Sequence, residues 1–122
     1  MKREVRFEST KAFIRRVRET ARKADREEPI PRSRVLSLAP AELSKVVTPA
    51  RLKIVAAVRK ESHLSVTGLA QRLQRDRAAV KRDIDVLVEA GILRTKEAIL
   101  PGHGRQVLVI ATAKQVKLSA EL

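Results

Sequence analysis

The fold is decided by residues 65–91, which have the sequence SVTGLAQRLQRDRAAVKRDIDVLVEAG. Ser65 and Asp76 are both good N-caps, and each precedes a run of apolar residues at helical spacing. Gly91 closes the second run and is a natural residue after a helix C-terminus. About three residues join the two helices, which is the short connection that a helix-turn-helix requires. The apolar residues are Leu69, Ala70 and Leu73 in the first run and Ala79, Val80, Ile84, Leu87 and Val88 in the second.

One further helix is predicted upstream of this pair, and two strands are predicted downstream. Thr48 and Pro49 place a cap before a proline at the first helical position, and the helix ends near residues 61–63. Beyond the helix pair the apolar period falls to two, which predicts two strands around a loop. The order helix, helix, turn, helix, strand, loop, strand is that of a winged helix-turn-helix. The upstream helix has the apolar residues Leu52, Ile54, Val55 and Val58, and the strands and loop are residues 92–95, 101–104 and 106–112.

The N-terminal residues add short elements to this unit. Residues 2–8 alternate between polar and apolar, which predicts a strand, and Ser9 or Thr10 then caps a helix that ends before two prolines. Residues 33–39 predict a second short strand, and Pro40 starts a short helix through Val47. The apolar residues of the first helix are Phe13, Ile14, Val17, Ala21 and Ala24.

The C-terminal residues 116–122 also alternate, which predicts a half-buried terminal strand that no neighbouring segment is obliged to cover. The predicted fold class is therefore α+β, a winged helix-turn-helix with an N-terminal strand-helix-strand extension. The chain divides into an extension over residues 1–47, the winged helix-turn-helix over residues 48–113 and the terminal strand over residues 114–122.

The charge of the chain is the first indication of a partner. Its 122 residues include 27 Lys and Arg against 14 Asp and Glu, so the formal net charge is +13. A field of this sign attracts polyanions, of which nucleic acid is the commonest and an anionic membrane is the other. A solvated surface that only keeps the protein soluble is the alternative. Aromatic residues make up 2% of the chain, so platforms on which single-stranded bases stack are not available.

Several classes of protein are excluded by composition. The chain has no cysteine, which excludes disulfides, thiolate metal sites and cysteine nucleophiles. No apolar run approaches the roughly 20 residues that span a bilayer. The basic N-terminus is not followed by the apolar stretch of a signal peptide, so we expect a cytoplasmic protein with no membrane partner.

The residues that carry chemistry in enzymes are poorly arranged for catalysis. His63 and His103 have no ligand partners at metal spacing, and the glycines around His103 are not a phosphate-binding loop. Asp83, Asp85 and Glu89 form a carboxylate cluster, which we expect to pair with neighbouring cations rather than to form an acid/base dyad. We therefore expect no metal, no cofactor and no enzymatic activity.

The second helix of the pair, residues 77–90, is the predicted recognition helix. In a helix-turn-helix the N-terminal half of this helix enters the major groove of DNA. Arginine is the usual reader of guanine, lysine more often neutralises phosphate, and a small alanine lets the backbone approach and contacts a thymine methyl group. A solvated basic face is the alternative. The predicted DNA-binding residues are Arg75, Arg77, Ala78, Lys81 and Arg82.

The loop between the two downstream strands is the predicted wing. Its basic residues Lys96, His103 and Arg105 are expected to reach phosphate or the adjacent minor groove, although an ordinary hairpin turn is the alternative. The N-terminal helix is basic as well. We interpret its basic face as solvated or as part of a dimer scaffold rather than as a direct DNA contact.

Residues 47–93 resemble a prokaryotic family of predicted winged-helix transcriptional regulators and, more distantly, the multiple-antibiotic-resistance and arsenical repressor superfamily. The shared patterns are TP-x-R, LA-x-x-L-x-RD and V-x-x-D-(I/V)-x-x-L-x-x-x-G-(I/L). One departure is Gln74, since the family usually has glycine at this turn; glutamine adopts the conformation needed only at some cost, so we expect that the turn is built differently. The matching residues are Thr48, Pro49, Arg51, Leu69, Ala70, Leu73, Arg75, Asp76, Val80, Asp83, Ile84, Leu87, Gly91 and Ile92.

These observations predict a sequence-specific regulator that binds double-stranded DNA, acts as a repressor and works as a homodimer, because two-fold sites double the bases read. Residues 1–47 would serve dimerisation or partner binding, and the alternating segments at both ends are candidate dimer seams.

The resemblance also implies an alternative, an antitoxin that neutralises a partner toxin and regulates its own operon. A basic winged helix that binds RNA is a third hypothesis. Neither the operator nor an effector is evident from the sequence.

Overall fold

A computed structural model describes residue 15, residues 30–100, residue 102 and residues 104–121 of the chain. Arg15 is helical and exposed. The strand predicted over residues 2–8 and the remainder of the predicted N-terminal helix lie outside the described residues.

The described residues form the predicted order of helices and strands, with one short strand, Leu64–Ser65, that the sequence did not predict. After a first strand and a short helix come the three helices of the helix-turn-helix unit and a hairpin, which confirms the α+β winged helix-turn-helix. The elements are β1 (Ser33–Ser37), α1 (Pro40–Val46), α2 (Pro49–Lys60), β2 (Leu64–Ser65), α3 (Val66–Leu73), α4 (Arg77–Glu89), β3 (Leu93–Leu100), β4 (Gly104–Ala111) and β5 (Gln115–Ser119).

Side-chain caps start the three central helices at the predicted residues. Thr48 accepts a hydrogen bond from the Arg51 backbone N–H at 3.2 Å, and Ser65 accepts one from Gly68 at 2.9 Å. Asp76 accepts one from Ala79 at 3.3 Å. Each bond satisfies an N–H group that has no partner within its own helix. Local sequence therefore determines where these helices begin.

The wing is a long antiparallel hairpin at the edge of a three-stranded sheet in the order β2-β4-β3. Its register runs from the pair Leu93 and Ala111 at the base to the pair Leu100 and Gly104 at the tip. The predicted first strand, residues 92–95, was too short. Residues 96–99 have the sequence KEAI, in which apolar and polar residues do not alternate, and their pairing with β4 is what extends β3.

The terminal strand β5 is covered by another segment of the same chain. It pairs in parallel with β1, in a register that joins Arg34 to Val116 and Leu36 to Leu118. Leu36, Val116 and Leu118 pack against the core. The strand is therefore covered by the chain itself but not by a segment near it in sequence, which agrees with the expectation. The partner lies about eighty residues away in sequence, and parallel pairing over such a distance has no local signal.

The core lies between the three central helices and the base of the hairpin. The expectation that Leu52 belongs to the buried stripe of α2 was wrong, because its side chain is 50% exposed. Successive helical residues are about 100° apart, so Leu52 lies about 200° from the buried Ile54 and faces solvent. The largest fully buried side chains are Ile54, Val58, Val66, Leu69, Val80, Ile84, Leu87, Leu93, Val109 and Ile110.

The turn between α3 and α4 has the left-handed conformation although it contains no glycine. Gln74 has φ 53° and ψ 47°. The backbone N–H of Arg75 donates to the carbonyl oxygen of Ala70 at 3.0 Å, which closes the end of α3. The expectation that glutamine forces a different turn was therefore wrong. Glutamine occupies a conformation that costs an L-residue about 1–2 kcal/mol.

Among the described residues, no helix combines the length and the apolar character that a membrane crossing requires.

Candidate nucleic-acid interface

One face of α4 carries the side chains that the sequence assigns to the recognition helix. Arg77, Ala78 and Arg82 are exposed, and the Lys81 side chain is 40% exposed. The opposite face of the helix is buried in the core. The helical period of 3.6 residues separates the two sets. The surface of α4 is therefore basic around a small alanine, a shape that leaves room for a close backbone approach.

The three cations of this face have different surroundings. Arg77 donates from Nε to the Thr67 hydroxyl oxygen at 3.2 Å, which joins the N-terminal ends of α3 and α4. Lys81 forms an ion pair with Asp85 one turn further along α4, and both side chains are well exposed. Such an exposed pair contributes little energy and leaves the ammonium group in solvent. Arg82 makes no ion pair with a described residue.

Arg75 lies in the turn before α4 and is bonded within the protein. Its Nη1 is 2.8 Å from Oδ2 of Asp83, a carboxylate on α4. The other oxygen of Asp83, Oδ1, is 3.2 Å from Nε of Arg51 at the start of α2. Arg51 also donates from Nη1 to the Lys45 carbonyl oxygen at the end of α1. We call Arg51, Arg75 and Asp83 the arginine–aspartate cluster.

Arg75 was predicted to bind DNA, and Arg51 was given no role. Asp83 was predicted to pair with a cation, and its ion pairs with Arg51 and Arg75 confirm this. Neither partner is close to Asp83 in sequence. A signal was present in the motifs. Arg51 belongs to TP-x-R, Arg75 to RD and Asp83 to V-x-x-D, and the fold brings these three residues of separate motifs together.

The wing has a charged and partly apolar distal end. The Arg105 side chain is 75% exposed and lies 3.9 Å from Glu97, too far for a strong bond. Ile99 is paired across the hairpin with Arg105 and is 76% exposed. Lys96 is half-buried nearer the base, and His103 lies outside the described residues. The described part of the wing tip therefore presents a cation beside an apolar side chain.

No group of three or more His, Asp or Glu side chains among the described residues is arranged to hold a metal ion. Two carboxylates of α4 lie in ion pairs: Asp85 with Lys81, and Asp83 with Arg51 and Arg75.

One solved structure shows the same fold, and two others are more distantly similar. A "possible transcriptional regulator" from Methanosarcina mazei Go1 is 22% identical, with a TM-score of 0.52 over 61% of this chain and 65% of that chain. A transcriptional regulator homologue from Pyrococcus horikoshii OT3 is 19% identical, with a TM-score of 0.49 over 59% of this chain and 76% of that chain. A MarR protein from Peptoclostridium difficile is 13% identical, with a TM-score of 0.47 over 88% of this chain and 64% of that chain.

The alignments with the Methanosarcina and Peptoclostridium chains span slightly less than two thirds of the length of those chains. A search of curated proteins found no match. The model of the HVO_A0114 family matches residues 46–118, from the last residue of α1 to Leu118 in β5. The match includes the whole helix-turn-helix, the wing and most of the terminal strand, which is more than half of the chain. This protein therefore belongs to the HVO_A0114 family.

Proposed function

We propose that this protein is a transcription regulator that binds double-stranded DNA in a sequence-specific manner through α4. The observation that carries the proposal is the exposed face of α4, where Arg77, Lys81 and Arg82 surround the small Ala78. A helix-turn-helix directs this face into the major groove. The net charge of +13 supplies the long-range attraction that brings DNA to it.

Each residue of this face has a different role in the proposal. Arg82, which is exposed and has no ion-pair partner among the described residues, reads guanine through two parallel hydrogen bonds. Lys81 neutralises a phosphate, since its ion pair with Asp85 is exposed and easily exchanged. The hydrogen bond from Arg77 to Thr67 holds a guanidinium group near the start of α4, where helix-turn-helix proteins contact DNA. Ala78 contacts a thymine methyl group.

The wing contributes a second contact in this proposal. Arg105 is exposed at the distal end of the hairpin, and Lys96 lies on the same hairpin nearer its base. These residues, with His103, bind phosphate or the minor groove next to the site read by α4. The exposed Ile99 beside Arg105 adds an apolar surface of the kind that minor-groove proteins press against bases.

We further propose that the protein acts as a homodimer and represses transcription in the cytoplasm. Residues 48–113 would be the DNA-binding domain, and residues 1–47 with residues 114–122 would form the dimer scaffold. The pairing of β1 with β5 supports this division, because it joins the two flanking segments into one sheet. A two-stranded sheet is only marginally stable alone, so a further strand from a second copy would stabilise it. The antitoxin alternative requires a partner protein, which copurification would detect.

The proposal is tested by the binding of the wild type and two arginine variants to duplex DNA at about 150 mM salt, near physiological ionic strength. The DNAs are the region upstream of the protein's own gene and a scrambled duplex of equal composition. Arg82→Ala removes the proposed base contact. Arg59→Ala removes the same charge from the exposed end of α2 and is the matched control.

We expect the wild type to prefer its upstream region by roughly a hundredfold or more. Arg82→Ala should lower that preference about ten- to hundredfold, since a bidentate base contact contributes about 1–3 kcal/mol of discrimination. Arg59→Ala should keep it. Weak and equal binding of both DNAs by all three proteins would contradict the proposal. Tighter binding of structured RNA than of either duplex would favour the RNA hypothesis instead.

A further inference from the structure

The arginine–aspartate cluster is less exposed than the other ion pairs of α4. The side chains of Asp83, Arg51 and Arg75 are 14%, 18% and 31% exposed, whereas those of Lys81 and Asp85 are 40% and 59% exposed. Both oxygens of the Asp83 carboxylate bond to guanidinium groups, at 3.2 and 2.8 Å. Charge-assisted hydrogen bonds of this kind, partly shielded from water, are stronger than exposed ion pairs.

The cluster connects α4 to three other parts of the fold. Asp83 lies on α4, Arg51 lies on α2, and Arg75 lies in the turn between α3 and α4. Arg51 also reaches the carbonyl oxygen of Lys45 in α1. Asp83 follows Arg82 directly in sequence, so any rotation of α4 that moves the carboxylate also moves the proposed base-reading arginine. The cluster therefore fixes the orientation of the exposed face of α4.

The cluster also restrains a cation that would otherwise bind any DNA. Arg75 immediately precedes Asp76, the N-cap of α4, and so lies at the end of the helix that points toward DNA in a helix-turn-helix. A free guanidinium group at this place would neutralise a phosphate whatever the base sequence. Each such contact raises non-specific affinity and steepens the salt dependence of binding. Its bond to Asp83 prevents this.

We propose that Asp83 is a specificity-determining residue that does not contact DNA. It orients α4 for base reading and holds Arg75 away from the phosphates, so that discrimination between the operator and other DNA depends on the arginine–aspartate cluster. Arg75 is then a positioning residue rather than the DNA contact that the sequence predicted. The inference rests on the proposed function, because it assigns the residue that gives the same interface its selectivity.

The main test compares Asp83→Asn with Asp85→Asn, which makes the same change of charge two residues away on the same helix. Affinity is measured for the upstream region and the scrambled duplex over a series of salt concentrations. We expect Asp83→Asn to bind the scrambled duplex more tightly, to steepen the slope of log K against log salt by about 0.9 for each bound subunit and to lower the preference at least about tenfold. Asp85→Asn should keep the preference within about threefold, because Lys81 is already exposed.

Arg75→Ala separates positioning from contact without removing the carboxylate. If Arg75 binds phosphate in the wild type, its loss makes the salt slope shallower by about 0.9 for each bound subunit. The proposal expects an unchanged slope in Arg75→Ala, and it expects the double variant Asp83→Asn with Arg75→Ala to return to the slope of the wild type. A purely structural role of Asp83 would lower affinity for both DNAs and leave the slope as it is.

Four results would overturn the inference: a shallower slope in Arg75→Ala, an unchanged slope in Asp83→Asn, an undiminished preference in Asp83→Asn, or equal losses of preference in Asp83→Asn and Asp85→Asn. Circular dichroism and thermal unfolding establish whether each variant is folded. If Asp83→Asn does not fold, the salt slope of Arg75→Ala alone decides whether Arg75 contacts phosphate. The wild-type measurement is separate. A wild type without preference refutes the proposed function, whereas a selective wild type with an equally selective Asp83→Asn refutes only the role of Asp83.

Discussion

Replacing Gln74 by glycine should stabilise the protein. Gln74 has φ 53° and ψ 47°, and its side chain is exposed, so the substitution removes no buried contact. The same replacement three residues earlier, Gln71→Gly, falls at an exposed position inside α3, where the backbone is helical. The two variants change the same atoms in the same short segment. Only the backbone conformation differs between the two positions.

The expected magnitudes follow from that difference. The left-handed conformation costs an L-residue about 1–2 kcal/mol, which glycine does not incur. Glycine also stabilises the unfolded chain by about 0.4–1 kcal/mol, because it increases the conformational freedom of that chain, and this reduces the gain. The free energy of unfolding should therefore rise by about 0.5 kcal/mol or slightly more in Gln74→Gly. It should fall by about 0.5–1 kcal/mol in Gln71→Gly, since glycine is unfavourable inside a helix.

Thermal and urea unfolding of the wild type and the two variants measure these changes. We expect the melting temperature to rise by about 2–3 °C for Gln74→Gly and to fall by about as much for Gln71→Gly. The dependence of the unfolding free energy on urea should be equal in all three proteins if unfolding is two-state. Destabilisation of both variants by similar amounts would refute the reasoning, because it would mean that position 74 is not left-handed in solution.

Three further substitutions test the packing, the caps and the wing. Leu69→Ala removes a side chain that is 0% exposed and should lower the free energy of unfolding by about 3 kcal/mol in urea; a loss below about 1 kcal/mol would contradict its burial. Asp76→Ala removes the N-cap of α4 and should cost about 1 kcal/mol, which an unchanged urea midpoint would disprove. Ile99 is 76% exposed, so Ile99→Ser should change the free energy of unfolding by less than about 0.5 kcal/mol. In a binding titration the same variant should bind the upstream DNA several-fold more weakly. Unaltered binding would exclude Ile99 from the interface.

The beginnings of the three central helices follow from the sequence because their causes are local. Thr48, Ser65 and Asp76 each bond to a backbone N–H three residues ahead, and such a bond depends on little else in the protein. The error at Leu52 has a different origin. Leu52 is apolar like the buried residues of α2, so it was predicted to lie on the same face. Its angular position relative to Ile54 places it on the face that is exposed to solvent.

The candidate site was predictable in part. The exposed basic residues of α4 follow from helical periodicity, since Val80 and Ile84 must face the core. The partner of Arg75 was not predictable, because charge and exposure alone do not distinguish an arginine that binds phosphate from one that bonds to a carboxylate. For Arg75 the distinction depends on the conformation of the turn between α3 and α4, and for Arg51 it depends on the packing of α2 against α4.

The sequence by itself determined the order of the helices and of the two hairpin strands, the caps of the three central helices and the basic face of α4, because hydrophobic period and capping act over a few residues. The tertiary structure alone decided the parallel pairing of β1 with β5, the length of the wing and the convergence of Arg51, Arg75 and Asp83. These features join residues that are distant in the chain. Their energy comes from contacts that exist only after the helices and strands have packed together, so no local pattern in the sequence records them.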